Sequence, residues 1–115
     1  MSNEPVSPRV NAARLKDFIG ASHPVRFTGK VLSFSNDETY VLMEASDGGK
    51  VKVLLPPPPQ PHDVTATFVE VVGTVVDAST IKLLTCIDMG SKLDLAMVNQ
   101  VIELTFDPEF KGRIF

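Results

Sequence analysis

Two predicted strands, each containing one internal glycine, restrict most strongly what this chain can fold into. The first follows Pro24 and contains Gly29, and the second covers residues 66–76 and contains Gly73. Alternation of apolar and polar residues predicts β-strands. A glycine inside a strand is typical of a bulge, or of the bend by which a strand turns the corner of a barrel. The two stretches therefore favour a curved sheet.

Three shorter segments, residues 39–45, 50–55 and 80–88, complete a set of five predicted strands. The sequence Asp47-Gly48-Gly49 has the turn chemistry of a tight hairpin, and residues 77–79 join the last two strands. Five strands in this order predict an all-β fold with flanking helices. We expect a five-stranded OB-fold Greek-key barrel with a short N-terminal helix and a C-terminal helix. A plain meander sheet is the alternative.

The segments outside the strands define the expected domain organisation. Asn11 is a good N-cap for a short amphipathic helix over residues 12–19, and Ser91 with Asp94 has capping-box spacing before a final helix. The run Pro56–Pro61 holds five prolines in six residues, so it predicts a stiff connection that cannot pair in a sheet. We expect three parts: a flexible arm over 1–7, the barrel with its N-terminal helix over 8–90, and an interface helix and tail over 91–115.

The final helix has an unusually wide apolar surface. At about 100° per residue, its polar residues Asn99, Gln100 and Glu103 share one side, and the apolar residues cover an arc of roughly 220°. That is about twice the width needed to dock on one core, so the pattern predicts a partner interface. The alternative is a helix buried deep in its own fold. Val98, Val101, Ile102 and Thr105 lie nearest the middle of the arc, and the predicted interface residues are Leu95, Met97, Val98, Val101, Ile102, Leu104 and Thr105.

Composition and motifs exclude several classes of function. With 115 residues and a formal net charge of −3, the chain lacks the basic balance of an autonomous DNA-binding domain. No signal-peptide or membrane-spanning run is visible, so a soluble intracellular protein with no membrane partner is expected. The two histidines, His23 and His62, have no metal-ligand spacing. No catalytic, cofactor-binding or metal-binding residue is predicted, and the chain is not expected to be an enzyme.

A nucleic-acid surface on the barrel is only weakly indicated. Single-strand binding by an OB-fold uses stacking aromatics and basic residues on its second and third strands. These strands offer Tyr40, Lys50 and Lys52, and Phe34 at the end of the first strand could add a second stacking ring. We regard these four residues as a candidate weak DNA contact.

An ordered set of short sequences resembles the smallest subunit of replication protein A, the eukaryotic heterotrimer that coats single-stranded DNA. The resemblance spans about residues 8–110. It rests on Pro8-Arg9-Val10-Asn11-Ala12, Leu15, Phe18-Ile19-Gly20, Pro24 to Val31, Ser46-Asp47-Gly48-Gly49, Val69 to Val75 and Leu93-Asp94-Leu95.

This resemblance implies a structural OB-fold subunit that joins the middle and large subunits through a three-helix bundle, to which each gives its C-terminal helix. It also implies a nuclear location, with roles in DNA replication, repair and recombination that belong to the complex. Single-stranded DNA would be contacted mainly by the other subunits. Two alternatives stay open: an autonomous OB-fold module that binds single-stranded nucleic acid, and the small subunit of a related telomere-capping trimer.

Overall fold

The structure, a computed structural model, describes residues 7–37, 39–56 and 67–107. Its elements are ordered as a short strand, a 3-10 helix, five longer strands and a final α-helix. They are β1 (Arg9–Val10), the N-terminal 3-10 helix (Ala12–Phe18), β2 (Val25–Phe34), β3 (Tyr40–Ala45), β4 (Lys50–Leu54), β5 (Phe68–Asp77), β6 (Thr80–Asp88) and α1 (Leu95–Thr105).

The five long strands close into a barrel. Neighbours follow the order β2-β3-β4-β6-β5, and β5 returns to pair with β2. All of these pairings are antiparallel except that of β4 with β6, which is parallel. This closed arrangement is the OB-fold, so the predicted fold class is confirmed and the meander sheet is excluded. The five predicted strands correspond to β2–β6.

The two strand glycines lie where the barrel bends. Gly29 pairs with Ala45 of β3 and with Val69 of β5, so β2 joins both sides of the barrel at this residue. A Cβ atom at Gly29 would lie 2.5 Å from the backbone oxygen of Glu44. At Gly73, where the pairing of β5 with β6 shifts register, a Cβ would collide with the backbone oxygen of Lys82. Both glycines therefore lie where a neighbouring backbone approaches too closely for a side chain.

The predicted short N-terminal helix is present and is a 3-10 helix. Asn11 is its N-cap and accepts a hydrogen bond from the backbone N–H of Arg14, as the sequence predicts. Side chains three residues apart align in a 3-10 helix. Ala12, Leu15 and Phe18 have this spacing, and all three pack on the barrel core. The tighter winding therefore follows from the three-residue spacing of the apolar residues.

Helix α1 begins one turn later than a cap at Ser91 would require. Its N-cap is Asp94, whose carboxylate accepts a hydrogen bond from the backbone N–H of Met97. The predicted capping box is therefore wrong, because Asp94 is the cap itself and does not reach back to Ser91. Most of the run Pro56–Pro61, the residues before Ser7, and the tail after Asp107 lie outside the described residues.

Candidate partner interface

One side of α1 packs against its own barrel. Ile102 is completely buried, with 0% of its surface exposed. One turn later, the ring of Phe106 meets that of Phe18 edge-on, with centroids 6.2 Å apart. The guanidinium of Arg14 lies 4.5 Å from the centroid of the Phe106 ring on the same side. These apolar and cation–π contacts hold α1 to the N-terminal 3-10 helix and the barrel.

Polar side chains also join this side of α1 to the start of the chain. Asn11 donates through Nδ2 to Asn99 Oδ1 and to Glu103 Oε2, each at 2.8 Å. Arg14 donates through Nη2 to Glu103 Oε1 at 2.6 Å and through Nε to Glu103 Oε2 at 3.3 Å. Ser46 adds a hydrogen bond to Asn99 Oδ1 at 3.2 Å. We call Asn11, Arg14, Asn99 and Glu103 the polar clamp.

The charges of the polar clamp stabilise each other. The hydrogen bond from Arg14, followed by that from Asn11, lowers the pKa of the Glu103 carboxyl below its ordinary value. The hydrogen bond to Glu103 raises the pKa of the Arg14 guanidinium. Both groups are therefore ionised at neutral pH, and the clamp is a charged, two-pronged contact.

The opposite side of α1 is exposed and apolar. Met97 is 60% exposed, Val101 51% and Leu104 48%. Their spacing of four and then three residues places them in one row along the helix. We call these three residues the exposed stripe. Val98 and Thr105 are half-buried beside it, whereas Leu95, also half-buried, lies on the side of Ile102 that faces the barrel.

A groove of about 340 Å³ runs along α1 where the helix meets the end of the barrel. Its walls are mainly apolar, and it is continuous with the exposed stripe because Met97 and Val101 belong to both. The groove is lined by Arg9, Thr28, Glu70, Met89, Leu93, Asp94, Met97, Val98, Val101 and Ile102.

A buried carboxylate forms the polar part of the groove. The Glu70 side chain is 5% exposed and forms ion pairs with Arg26 at 2.9 Å and with Arg9 at 3.2 Å. Thr28 Oγ1 donates to the same carboxylate at 3.2 Å. Burial alone would raise the pKa of Glu70, but the hydrogen bonds from Arg26 and Arg9 outweigh it and the pKa is lowered. The cluster joins β1, β2 and β5 beneath α1.

The candidate DNA residues lie on another surface of the barrel. Lys52 Nζ lies 4.5 Å from the centroid of the Tyr40 ring, so the structure brings these two residues together. Lys50 forms an ion pair with Glu44 at 3.5 Å. Phe34 is 40% exposed at the end of β2. Of the four, one aromatic is therefore covered by a lysine and one lysine is neutralised by a carboxylate.

Comparison with known proteins identifies the family. The family model of Replication factor A protein 3 matches residues 1–109. The chain belongs to this family. The resemblance seen in the sequence is thereby confirmed. Among curated proteins, none matches significantly.

Solved structures agree with this membership of the Replication factor A protein 3 family. The chain is similar to a chain of U. maydis replication protein A bound to ssDNA, with a TM-score of 0.77 and 28% identity over 90% of this chain and 92% of that one. It is also similar to a chain of the S. pombe Stn1-ten1 complex, with a TM-score of 0.61 and 15% identity over 88% and 92%. The S. pombe telomere capping protein Ten1 gives a TM-score of 0.60 and 15% identity over 85% and 95%. The last two show the fold alone.

In this family member, α1 is rotated relative to the orientation that its sequence suggests. Asn99 and Glu103 face the start of the chain, because Asn11 and Arg14 bind them. Ile102 was expected near the middle of an exposed arc, but the barrel buries it, so it is not available at the surface.

Sequence reasoning missed the polar clamp and the buried cluster around Glu70. Asn11 and Arg14 are three residues apart, and Asn99 and Glu103 are four apart, so each pair shares one side of a helix. That spacing was visible, but nothing local links two pairs about 90 residues apart in the chain. In the described parts of the chain, no helix is long and apolar enough to cross a membrane.

Proposed function

We propose that this chain is the structural small subunit of a heterotrimeric single-stranded-DNA-binding complex of the replication protein A type. The observation that carries the proposal is the exposed stripe of Met97, Val101 and Leu104, which stays uncovered on a helix already docked by its other side. Apolar rows of this kind on a helix are typical of helix–helix association. The chain would thus add its α1 to a three-helix bundle formed with the C-terminal helices of the middle and large subunits.

The surface beside the stripe fits contact with more than one partner helix. The stripe itself offers a row for one helix, and the groove along Leu93, Val98 and Met89 offers a second apolar surface on its flank. Two neighbouring docking surfaces on one helix are what a three-helix bundle requires. The interface residues in this proposal are Met97, Val98, Val101, Leu104 and Thr105; Leu95, which the sequence pattern also predicted, lies on the side of Ile102.

The role that we propose for the assembly is the one that the family resemblance implies. The chain carries a formal net charge of −3, and most nucleic-acid affinity comes from neutralising phosphates. Contact with single-stranded DNA is therefore assigned mainly to the two larger subunits. The chain itself would be a non-enzymatic, cofactor-independent component that acts in the nucleus in DNA replication, repair and recombination.

The proposal is tested by placing a charge on the stripe. Val101→Asp puts a carboxylate in the middle of the exposed row, where a partner helix would have to bury it at a large cost in free energy. We expect the full chain with this substitution to fold, and to be lost from complexes purified after co-expression with the middle and large subunits. Leu84→Asp is the matched control, because Leu84 is 57% exposed on β6, outside α1 and outside the groove.

The two variants separate assembly from folding. Thermal unfolding of each purified chain measures whether the barrel is intact. Loss of co-purification for Val101→Asp alone supports the proposal. Intact trimers containing Val101→Asp would contradict it.

A second candidate function is weak single-strand binding by the barrel, and the pair of Tyr40 and Lys52 favours it. A ring with an adjacent ammonium can stack on a base and contact its phosphate. Titration of the full chain with labelled oligothymidine at low and moderate salt measures this contact. Binding that weakens with salt and is lost in Tyr40→Ala supports it, and no binding at micromolar protein excludes an autonomous module.

Partner identity separates the replication complex from a telomere-capping trimer. The S. pombe Stn1-ten1 complex shares the fold at 15% identity, so the shape of the barrel alone does not distinguish them. Mass spectrometry of proteins that co-purify with the endogenous chain would do so. Recovery of the two larger replication protein A subunits supports the assignment, and recovery of telomere-capping partners instead would overturn it.

A further inference from the structure

Helix α1 does not turn the middle of its apolar arc toward the barrel. Its buried side is centred near Ile102 and Phe106, and the middle of the apolar arc, near Val98 and Thr105, lies roughly 70° away around the helix. Apolar burial alone would favour the orientation in which the middle of the arc faces the core. Another interaction must therefore select the rotation that is observed.

The buried side chain of Asn11 supplies that interaction. Asn11 is 1% exposed, and a buried amide without hydrogen-bond partners is strongly unfavourable. Its Oδ1 is used in capping the N-terminal 3-10 helix, and its Nδ2 donates both hydrogens to residues of α1, Asn99 and Glu103. Rotation of α1 by one residue position would leave both of these donors buried and unpaired.

Arg14 stabilises the same rotation of α1 because it contacts two neighbouring turns of the helix. It binds Glu103 through two nitrogens and also lies over the ring of Phe106. A planar guanidinium with two hydrogen bonds and a stacked ring fixes an orientation better than a single point contact does.

We propose that Asn11 and Arg14 are positioning residues that fix the rotation of α1 and thereby select Met97, Val101 and Leu104 as the face presented to partners. Removing the clamp leaves the stripe residues in the sequence but turns part of them toward the barrel. The consequence for assembly rests on the proposed function; the rotation itself does not, because it is a property of the chain alone.

The rotation is measured in the full chain without partners. In a Cys86→Ala background, single cysteines at Val101 and at Gln100 are labelled with a maleimide, since reactivity follows exposure of the thiol. Gln100 is exposed in the observed orientation and stays exposed after the helix turns toward the middle of its apolar arc, whereas Val101 becomes covered. The ratio of the two labelling rates therefore reports rotation.

With the clamp removed by Asn11→Leu and Arg14→Met, we expect the rate at V101C to fall about fivefold while that at Q100C is unchanged. Arg14→Met alone keeps the N-cap and gives a smaller fall in the same direction. Arg14→Lys, which keeps a charged donor for Glu103 and leaves the hydrogen bond from Asn11 to Glu103 intact, should give a smaller fall than Arg14→Met, which a purely stabilising role would not require. If removal of the clamp left the labelling rates at V101C and Q100C unchanged, the proposal would be overturned. A rise in the labelling rate at both positions would also overturn it.

The effect of the clamp on assembly is measured in a separate experiment. The clamp-free variant with its native Met97, Val101 and Leu104 is co-expressed with the two larger subunits, and reduced recovery of trimer is expected. If Val101→Asp leaves assembly intact, the proposed function fails while the labelling ratio still tests the rotation. If the labelling ratio is unchanged by removal of the clamp, the positioning role fails while the assembly function can stand.

Discussion

The carboxylate of Glu103 lies 2.6 Å from Nη2 of Arg14 and accepts a second bond from Nε of the same guanidinium. This contact joins α1 to the N-terminal 3-10 helix. Because β1 and the N-terminal 3-10 helix are packed on the barrel, the contact also makes the barrel a fixed base for α1. A helix held in this way loses less conformational freedom when a partner binds, which increases affinity without new contacts.

A double-mutant cycle should detect this contact. Arg14→Ala, Glu103→Ala and the double variant should show a favourable coupling in the free energy of unfolding, because two hydrogen bonds join the two side chains. The coupling should decrease as salt is raised. The pair of Lys50 and Glu44 is the control and should couple more weakly, because its atoms are 3.5 Å apart and Lys50 is more exposed than Arg14. Equal coupling in the two pairs would contradict the special role of the clamp.

Neighbouring residues of α1 should differ sharply in their effect on stability. Ile102→Ala should lower the free energy of unfolding of the isolated chain by about 2–4 kcal/mol, because it removes a completely buried side chain. Val101→Ala should change it by no more than about 0.5 kcal/mol, because that side chain is half exposed. Denaturant unfolding of the two purified variants measures both values. Similar losses in both would mean that α1 is not rotated as described.

The barrel was predictable from sequence because the patterns that indicate its strands and turns involve residues close together in the chain. The pattern of apolar residues predicts the strands around Val25 and Phe68. The turn at Gly48, where φ is 91°, needs a residue that tolerates the left-handed region. The helix at Ala12 was also found, although its 3-10 winding was not. The strand β1 was missed because two residues carry no period, and its pairing with β2 is visible only in the folded chain.

The orientation of α1 was not predictable for a physical reason. A helix with an apolar arc of roughly 220° can satisfy the hydrophobic effect in several rotations. The choice among them depends on Asn11 and Arg14, which lie about 90 residues earlier. The buried carboxylate of Glu70 is similar: its position in the middle of an apolar strand gave no sign that Arg9 and Arg26 would neutralise it.

Glu70 should make stability depend on pH. Its pKa is lower in the folded chain than in the unfolded chain, so the folded state binds fewer protons and gains stability above the unfolded pKa of about 4.3. That gain is lost as the pH falls from about 4.3 through the folded pKa. Asp37, Asp77 and Glu103 also have lowered pKa values, so wild type alone does not isolate Glu70.

The variant Glu70→Gln isolates the contribution of the Glu70 charge to stability. At pH 7 this variant should be less stable than wild type by about 1–3 kcal/mol, because a charged acceptor of buried hydrogen bonds is lost. The difference should narrow as the pH falls below about 4, because the unfolded wild-type chain then binds a proton at Glu70 that the folded chain does not yet bind. Thermal or denaturant unfolding at several pH values measures it. A difference that stays constant from pH 7 to pH 3 would show that the charge of Glu70 does not contribute.

The bend at Gly29 should tolerate no side chain. A Cβ there would lie 2.5 Å from the backbone oxygen of Glu44, and backbone cannot move aside as a flexible side chain can. Gly29→Ala should therefore lower the free energy of unfolding by about 2–3 kcal/mol, the upper part of the range for overpacking. Gly48→Ala is the control, because nothing lies within 4 Å of its Cβ position and only its positive φ costs about 1 kcal/mol. If the two variants were equally stable in denaturant, close strand approach at Gly29 would not limit the barrel.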